Sequence, residues 1–215
     1  MNRRLLAQTA LIAFAMLLLG LLWADYPLAH WQHDSGYENA AFFTNTLNVL
    51  DHVVGIHIWY WLMPCCVAAL GMLALLLHKK FTWAPSAARV LLSSSAVQAG
   101  TIGMMILGKN TFGRLRPQQL FESGDWTQAI WFVGGGSFPS GHSAFYFGLF
   151  LPLAAWTKNP WLRALLIVIP VFVVIARINL TKHFLSDVSA SAVIAALLGL
   201  LAATVLRRWF DASRV

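Results

Sequence analysis

An all-helical, integral membrane bundle is the fold class this sequence predicts, and three observations predict it. Of 215 residues, 59% are hydrophobic and 11% charged, whereas charged residues approach a quarter of an ordinary soluble domain. Six apolar stretches, at approximately 5–24, 56–77, 87–107, 142–157, 164–181 and 184–206, approach the roughly 20 residues that carry a helix across a bilayer. Tryptophans gather at the ends of these stretches, Trp23, Trp59, Trp61, Trp126 and Trp131 at one interface and Trp83, Trp156, Trp161 and Trp209 at the other, as an aromatic belt requires. Residues 1–215 read as a single six-transmembrane-helix domain with interfacial helices in the outer loops.

The first stretch follows Arg3 and Arg4 and lacks a small-x-small cleavage site before Asp25, so it reads as a retained signal anchor. Residues 38–54 place Phe42, Phe43, Leu47, Leu50 and Val54 near helical spacing, which predicts an amphipathic helix at the outer interface. In the second stretch, Cys65 and Cys66 are neighbours that point to different helix faces, read as buried thiols that cannot bridge. Segment 118–138 mixes aromatics with Glu122, Asp125 and Gly134-Gly135-Gly136. It fits either a mobile loop that closes over a headgroup or a plain interfacial connector. The fifth stretch contains Pro170, which predicts a kink. In the sixth, Ser191, Ala195 and Gly199 recur every four residues, which suits close helix packing.

Charge sets the expected orientation. With the N-terminus cytoplasmic, the inner side receives Arg3, Arg4, Lys79, Lys80, Arg89, Lys158, Arg163, Arg207, Arg208 and Arg214, and the outer side Lys109, Arg114, Arg116, Arg177 and Lys182. This follows the positive-inside rule and puts both termini in the cytoplasm. The formal net charge of +7 is then mainly a property of the cytoplasmic rim, and no nucleic-acid partner is expected. Nothing in the sequence sets an oligomeric state.

All five outer cations lie in or between three polar segments: Lys109 to Pro117, Pro139 to His142, and Arg177 to Asp187. Lys109 and Arg116, taken alone, are more often headgroup anchors than phosphate ligands, although anchors of that sign prefer the inner face. Ser140 is a candidate N-cap, and Gly141 lets a ligand approach free N–H groups at a helix start. Taken alone, Pro139-Ser140-Gly141-His142 fits a capping turn equally well. His183 and Asp187, at i and i+4, are expected to share a helix face, the carboxylate orienting one imidazole nitrogen and leaving the other as a nucleophile. Six residues separate Arg177 from His183, a poor fit to one helix face, so a turn is expected across Asn179 to Lys182. Arg114 and Lys182 are expected to support the same positive field. His30, His33, His52 and His57 form a second group whose spacings match no recognised metal site, and headgroup contacts or interfacial packing are the expectation there.

These segments read KNTFGRLRP from Lys109, PSGH from Pro139 and ARINLTKHFLSD from Ala176. In order and internal spacing they resemble the signature of the type 2 phosphatidic acid phosphatase superfamily. The resemblance implies that Lys109, Arg116, Arg177, Ser140 and Gly141 bind a phosphoryl group. It further implies that His183 attacks phosphorus to form a phosphohistidine, that Asp187 orients His183, and that His142 protonates the leaving group and then activates water. No metal or other cofactor is implied, because fixed cations neutralise the equatorial oxygens. Ala176 departs from the pattern, which has Ser, and removes a possible hydroxyl contact to phosphate. The implied protein is a bacterial cytoplasmic-membrane lipid phosphatase whose site faces the periplasm or exterior. Its substrate would be a lipid phosphate monoester or diphosphate held in the bilayer, such as undecaprenyl diphosphate, phosphatidylglycerophosphate, phosphatidate or the lipid A 1-phosphate. A lipid-to-lipid phosphotransferase would use the same residues, and a non-enzymatic lipid transporter is the remote alternative.

Overall fold

The computed structural model describes residues 1–212, with side chains through Leu206. Arg214 lies outside the described residues, as do the side chains of Arg207, Arg208 and Trp209. Every regular element among the described residues is helical: α1 (Arg3–Leu19), a π-turn (Gly20–Ala24), α2 (Asp25–Asp34), α3 (Ala41–Val54), α4 (Leu62–Leu76), α5 (Ala84–Phe112), α6 (Pro117–Ser123), α7 (Gly141–Trp156), α8 (Pro160–Asn179) and α9 (Leu185–Ala212).

Each of the six apolar stretches became a helix. Among the described residues, four segments, within Arg3–Asp34, Ala84–Ser123, Pro160–Asn179 and Leu185–Leu206, are long and apolar enough to cross a membrane, and the chain is an integral membrane protein. At about 1.5 Å of rise per residue, the 15 residues of α4 and 16 of α7 span roughly 22 and 24 Å, short of a hydrocarbon core of about 30 Å. The second stretch is shorter than expected because residues 56–61 form turns leading into α4.

Helix α7 is central, with most of its side chains buried between α5, α8 and α9. Helix α1 packs along α9, where the small-residue stripe works as expected: a Cβ on Gly199 would lie 2.9 Å from Leu6 Cδ2, and Ala195 is fully buried. Hydrogen bonds mark the end of the bundle that holds the N-terminus. Asn2 N–H donates to the Ala155 carbonyl at 2.6 Å, and Trp156 Nε1 donates to Ser93 Oγ at 2.9 Å. The starts of α7 and α9 and the ends of α5 and α8 lie at the opposite end.

That opposite end carries the structure the sequence left open. The amphipathic segment is helical, and Leu47 and Val54 on α3 pack with Ile102, Phe145 and Val173 in one apolar cluster. Asn179, the last residue of α8, fixes the approach to α3: its side chain accepts from Ala40 N at 3.1 Å and donates to the Tyr37 carbonyl at 2.6 Å. Helix α3 is thus strapped to the bundle.

The glycine loop is hydrogen-bonded back onto the end of α5. Gly135 N–H donates to the Gly113 carbonyl at 2.8 Å and Ser137 N–H to the Arg114 carbonyl at 2.9 Å. A Cβ on Gly135 would sit 2.2 Å from Arg114 O, so glycine there permits a close backbone approach. Leu120, Ile130, Trp126 and Trp131 pack with Ala29 and Phe184, which draws two expected belt tryptophans into a cluster. His30 and His33 join it against Phe121, ring centroids 5.5 and 4.0 Å apart, and His33 Nδ1 also pairs with Glu38 Oε2 at 2.9 Å. Cys65 and Cys66 are free as expected, but they are exposed rather than buried, on the outward side of α4.

Candidate active site

Two helix N-termini are fastened together at the polar end. Ser140 caps α7, its side chain accepting from Ser143 N at 3.4 Å. Its own N–H donates to the Asp187 carbonyl at 3.0 Å, and Ser191 Oγ donates to the Ser140 carbonyl at 2.8 Å. Gly141 is buried, with the Tyr60 hydroxyl 3.0 Å from where a Cβ would stand. The partial positive charge at each helix start is therefore presented to the same region.

Asp187 is fully buried in the first turn of α9 and makes four contacts. Its Oδ2 accepts from Phe184 N at 2.8 Å, the carboxylate half of a capping box. The same oxygen accepts from Ser137 Oγ at 2.5 Å and lies 3.5 Å from His183 Nδ1, while Oδ1 accepts from Arg114 Nη1 at 2.7 Å. His183 precedes the first residue of α9, so the pair does not share a helix face as its spacing suggested. The turn between Arg177 and His183 is present: Lys182 N–H donates to the Arg177 carbonyl at 3.2 Å, and Thr181 has a positive φ of 50°. Burial pushes the His183 imidazole down to about 3; its hydrogen bond to Asp187 opposes this, and the charges of Arg177 and Lys109 reinforce it. His183 is consequently a neutral base with Nδ1 directed at Asp187 and Nε2 free.

The cations come from helix ends. Lys109 and Arg177 occupy the last turns of α5 and α8, where positive charge also complements the helix dipole. Lys109 Nζ donates to the Gly136 carbonyl. Arg116 is the N-cap of α6, its backbone N–H bonded to Gln119 Oε1 at 2.9 Å. The charge of Arg177 acts on Lys109, Tyr60, His142 and His183. Its Nε is buried without a protein partner. Lys182 donates to Gln118 Oε1; partial burial, followed by the charges of Arg177 and Arg116, holds its ammonium below the usual lysine range.

Arg114 is a correction. It does not join the open positive field. It is 2% exposed and bridges two carboxylates, Nη2 to Asp25 Oδ2 and Nη1 to Asp187 Oδ1, each at 2.7 Å. Nη1 also donates to Ser186 Oγ at 2.6 Å, and the guanidinium carbon lies 4.4 and 4.0 Å from the ring centroids of Trp131 and Phe184. Asp25 in turn accepts from Ser186 N at 3.0 Å. This approach requires Gly20, where a Cβ would lie 2.7 Å from Asp25 Oδ1. Ala176 is fully buried in the apolar cluster with Met105 and Val173.

Sequence reasoning missed three further residues. Asp51, 2% exposed on α3, accepts from Tyr146 OH at 2.8 Å and lies 3.1 Å from His142 Nε2. Tyr60 OH lies 3.5 Å from His142 Nδ1. One signal was available for Asp51, since it follows Leu47 by four residues and precedes Val54 by three on the apolar stripe of an amphipathic helix. An acid on such a stripe is buried and needs partners.

Apolar helices that reach across a membrane, with cations, two imidazoles and a buried carboxylate gathered at one end, define a membrane protein equipped to hold an anion. The family model described as the PAP2 superfamily matches residues 87–211, more than half of the chain. The chain belongs to that superfamily, the type 2 phosphatidic acid phosphatases, whose members are phosphatases acting on phosphate esters. Neither the curated proteins nor the solved structures gave a match to this chain. Helices α1 to α4, with Asp25 and Asp51, precede the matched segment.

Proposed function

We propose that this protein hydrolyses the phosphate monoester or diphosphate of a membrane lipid through a phosphohistidine intermediate. The observation that carries the reading is the neutral, buried His183, held through Nδ1 by Asp187 beside the cations Lys109 and Arg177. In this reading Lys109, Arg116 and Arg177, with Ser140 and Gly141 at the start of α7, bind the phosphoryl oxygens. His183 Nε2 attacks phosphorus in line, and its bond to phosphorus forms as the bond to the lipid oxygen breaks. His142 gives that oxygen a proton, then takes one from the water that cleaves the phosphohistidine. Preorganised donors around a developing charge are an established source of rate enhancement, and here fixed cations take the part that a metal ion plays elsewhere.

The lipid tail stays in the bilayer, and six helices, α1, α4, α5, α7, α8 and α9, cross it, with the bilayer thinned beside the short α4 and α7. Both termini are cytoplasmic and the site opens to the periplasm or exterior, as the charge distribution favours. The test is phosphate release from a panel of lipid phosphates by purified protein in EDTA, beside His183→Ala and His142→Ala. Full activity in His183→Ala would overturn the mechanism, and loss of activity on chelation would overturn its independence of metal. Single cysteines introduced at Gln128 into a cysteine-free variant should label from outside the cell; labelling from the cytoplasm alone inverts the orientation.

A further inference from the structure

Asp51 has no part in that reading, yet it is the nearest acid to His142. It sits on α3, 91 positions away from His142 in sequence, and is almost fully buried. Its Oδ2 lies 3.1 Å from His142 Nε2, and Tyr146 OH donates to Oδ1 at 2.8 Å, fixing the carboxylate from behind. His57 Nε2 is 3.9 Å from the same Oδ2. A carboxylate only accepts, so Nε2 of His142 carries a hydrogen and Nδ1 is the nitrogen left for other work. Nδ1 faces Tyr60 OH at 3.5 Å, and that hydroxyl also lies within the fields of Arg177 and Arg116. The groups facing His142 are therefore Asp51 from α3, His57 and Tyr60 from the turn after it, and Arg177 from α8.

We infer that Asp51 is the positioning residue for His142: it holds the Nε2–H and favours the imidazolium, so that Nδ1–H is the proton delivered to the departing lipid oxygen. This rests on His142 being the proton donor proposed above. In the first step the phosphorus–oxygen bond to the lipid breaks as the bond to His183 Nε2 forms, and the Nδ1 proton of His142 moves to the lipid oxygen. In the second step neutral His142, still tied through Nε2–H, takes at Nδ1 a proton from water as the water oxygen bonds to phosphorus. The phosphorus–nitrogen bond breaks and the imidazolium is restored. The site would thus contain two acid–imidazole pairs of different purpose, Asp187 orienting a neutral His183 and Asp51 offsetting the cost that burial sets on charging His142.

The test compares a lipid phosphate, whose alkoxide needs a proton, with p-nitrophenyl phosphate, whose phenolate leaves without one, both in detergent. A proton donor is worth about 10²–10⁴ in rate, so in kcat/KM, which reports only the steps up to phosphohistidine formation and is the quantity compared throughout, His142→Ala should lose about that on the lipid and far less on the aryl ester. Asp51→Asn should lose about 10- to 100-fold on the lipid and under about threefold on the aryl ester, and the alkaline limb of its pH profile should move to lower pH, because the imidazolium has lost its carboxylate. Asp51→Glu, which keeps the charge, should restore most of the limb's position, and inhibition by inorganic phosphate should be unchanged in both. Equal loss on the two esters with an unmoved limb assigns Asp51 to architecture alone and overturns the inference. If His142→Ala itself shows no split between the esters, the reading of His142 falls and this inference with it. If His142→Ala splits them and Asp51→Asn does not, only the inference falls. Should Asp51→Asn not fold, Tyr146→Phe removes one hydrogen bond from the same carboxylate; a smaller split of the same sign supports the inference and none overturns it.

Discussion

Removing the Arg114 side-chain charge should be among the most damaging single changes in the protein. Arg114→Met keeps an apolar stem but deletes three hydrogen bonds of 2.6 to 2.7 Å, to Ser186, Asp187 and Asp25, and the cation's contact with the Trp131 and Phe184 rings. It leaves two carboxylates, 3% and 0% exposed, without their counter-charge. Breaking a buried pair in this way costs about 3–5 kcal/mol, since the orphaned charge keeps its desolvation penalty. For a chain of this length each kcal/mol lowers Tm by about 2–4 °C, so a drop of roughly 6–20 °C is expected. The assay is thermal unfolding in detergent without phosphate, with Asp25→Asn and the double variant alongside. Because Asp25→Asn removes one of the orphaned charges, the double variant should be less destabilised than the sum of the singles by about 1–3 kcal/mol. A Tm for Arg114→Met within about 2 °C of the parent, or strict additivity, would refute this account of the network.

Other expectations are narrower. Ser137→Ala removes one hydrogen bond to Asp187 Oδ2, worth about 1 kcal/mol net, so kcat/KM should fall about five- to tenfold while inhibition by inorganic phosphate holds; an unchanged kcat/KM would show that Ser137 does not help to place Asp187. Gly135→Ala must drive a methyl against the Arg114 carbonyl, 2.2 Å away, and overpacking of this kind costs at least about 1–3 kcal/mol, read as lost thermal stability. Ala176→Ser introduces a hydroxyl into an apolar cluster and should leave KM within about twofold; a marked gain in phosphate affinity would mean that position 176 reaches the site after all. His183 has its folded value lowered from 6.5 to about 3, so between those limits the unfolded chain binds the extra proton and stability rises with pH. His183→Asn should flatten that part of the stability profile, and an unaltered slope would place the titration elsewhere.

How much could be read in advance follows from the range of each interaction. Apolar runs found every long helix because hydropathy is a local property, and the paired starts of α7 and α9 followed from Ser140, Gly141 and Asp187 in short motifs. Helix α2 was invisible because its sequence, DYPLAHWQHD, is polar and carries Pro27; its place is set by Asp25 meeting Arg114, 89 positions away. Arg114 itself stands two residues before Arg116 with no local mark to distinguish a buried bridge from a ligand cation. His183 and Asp187 meet across a turn rather than along a helix, so the right pair emerged from an inexact geometry. Asp51 was legible only as an anomaly on an apolar stripe.

The bridge from Asp25 through Arg114 to Asp187 ties together parts of the chain on either side of the matched segment's start at residue 87. Expressed alone, the family-defining portion would present Arg114 with one carboxylate instead of two. The segment formed by α1 and α2 is thus a structural part of the polar end of the bundle, and a generic membrane anchor of equal length and hydrophobicity would lack Asp25. A chain split in the connection between α4 and α5 should reassemble when both halves are co-produced, and swapping α1 and α2 for an unrelated anchor should prevent that reassembly.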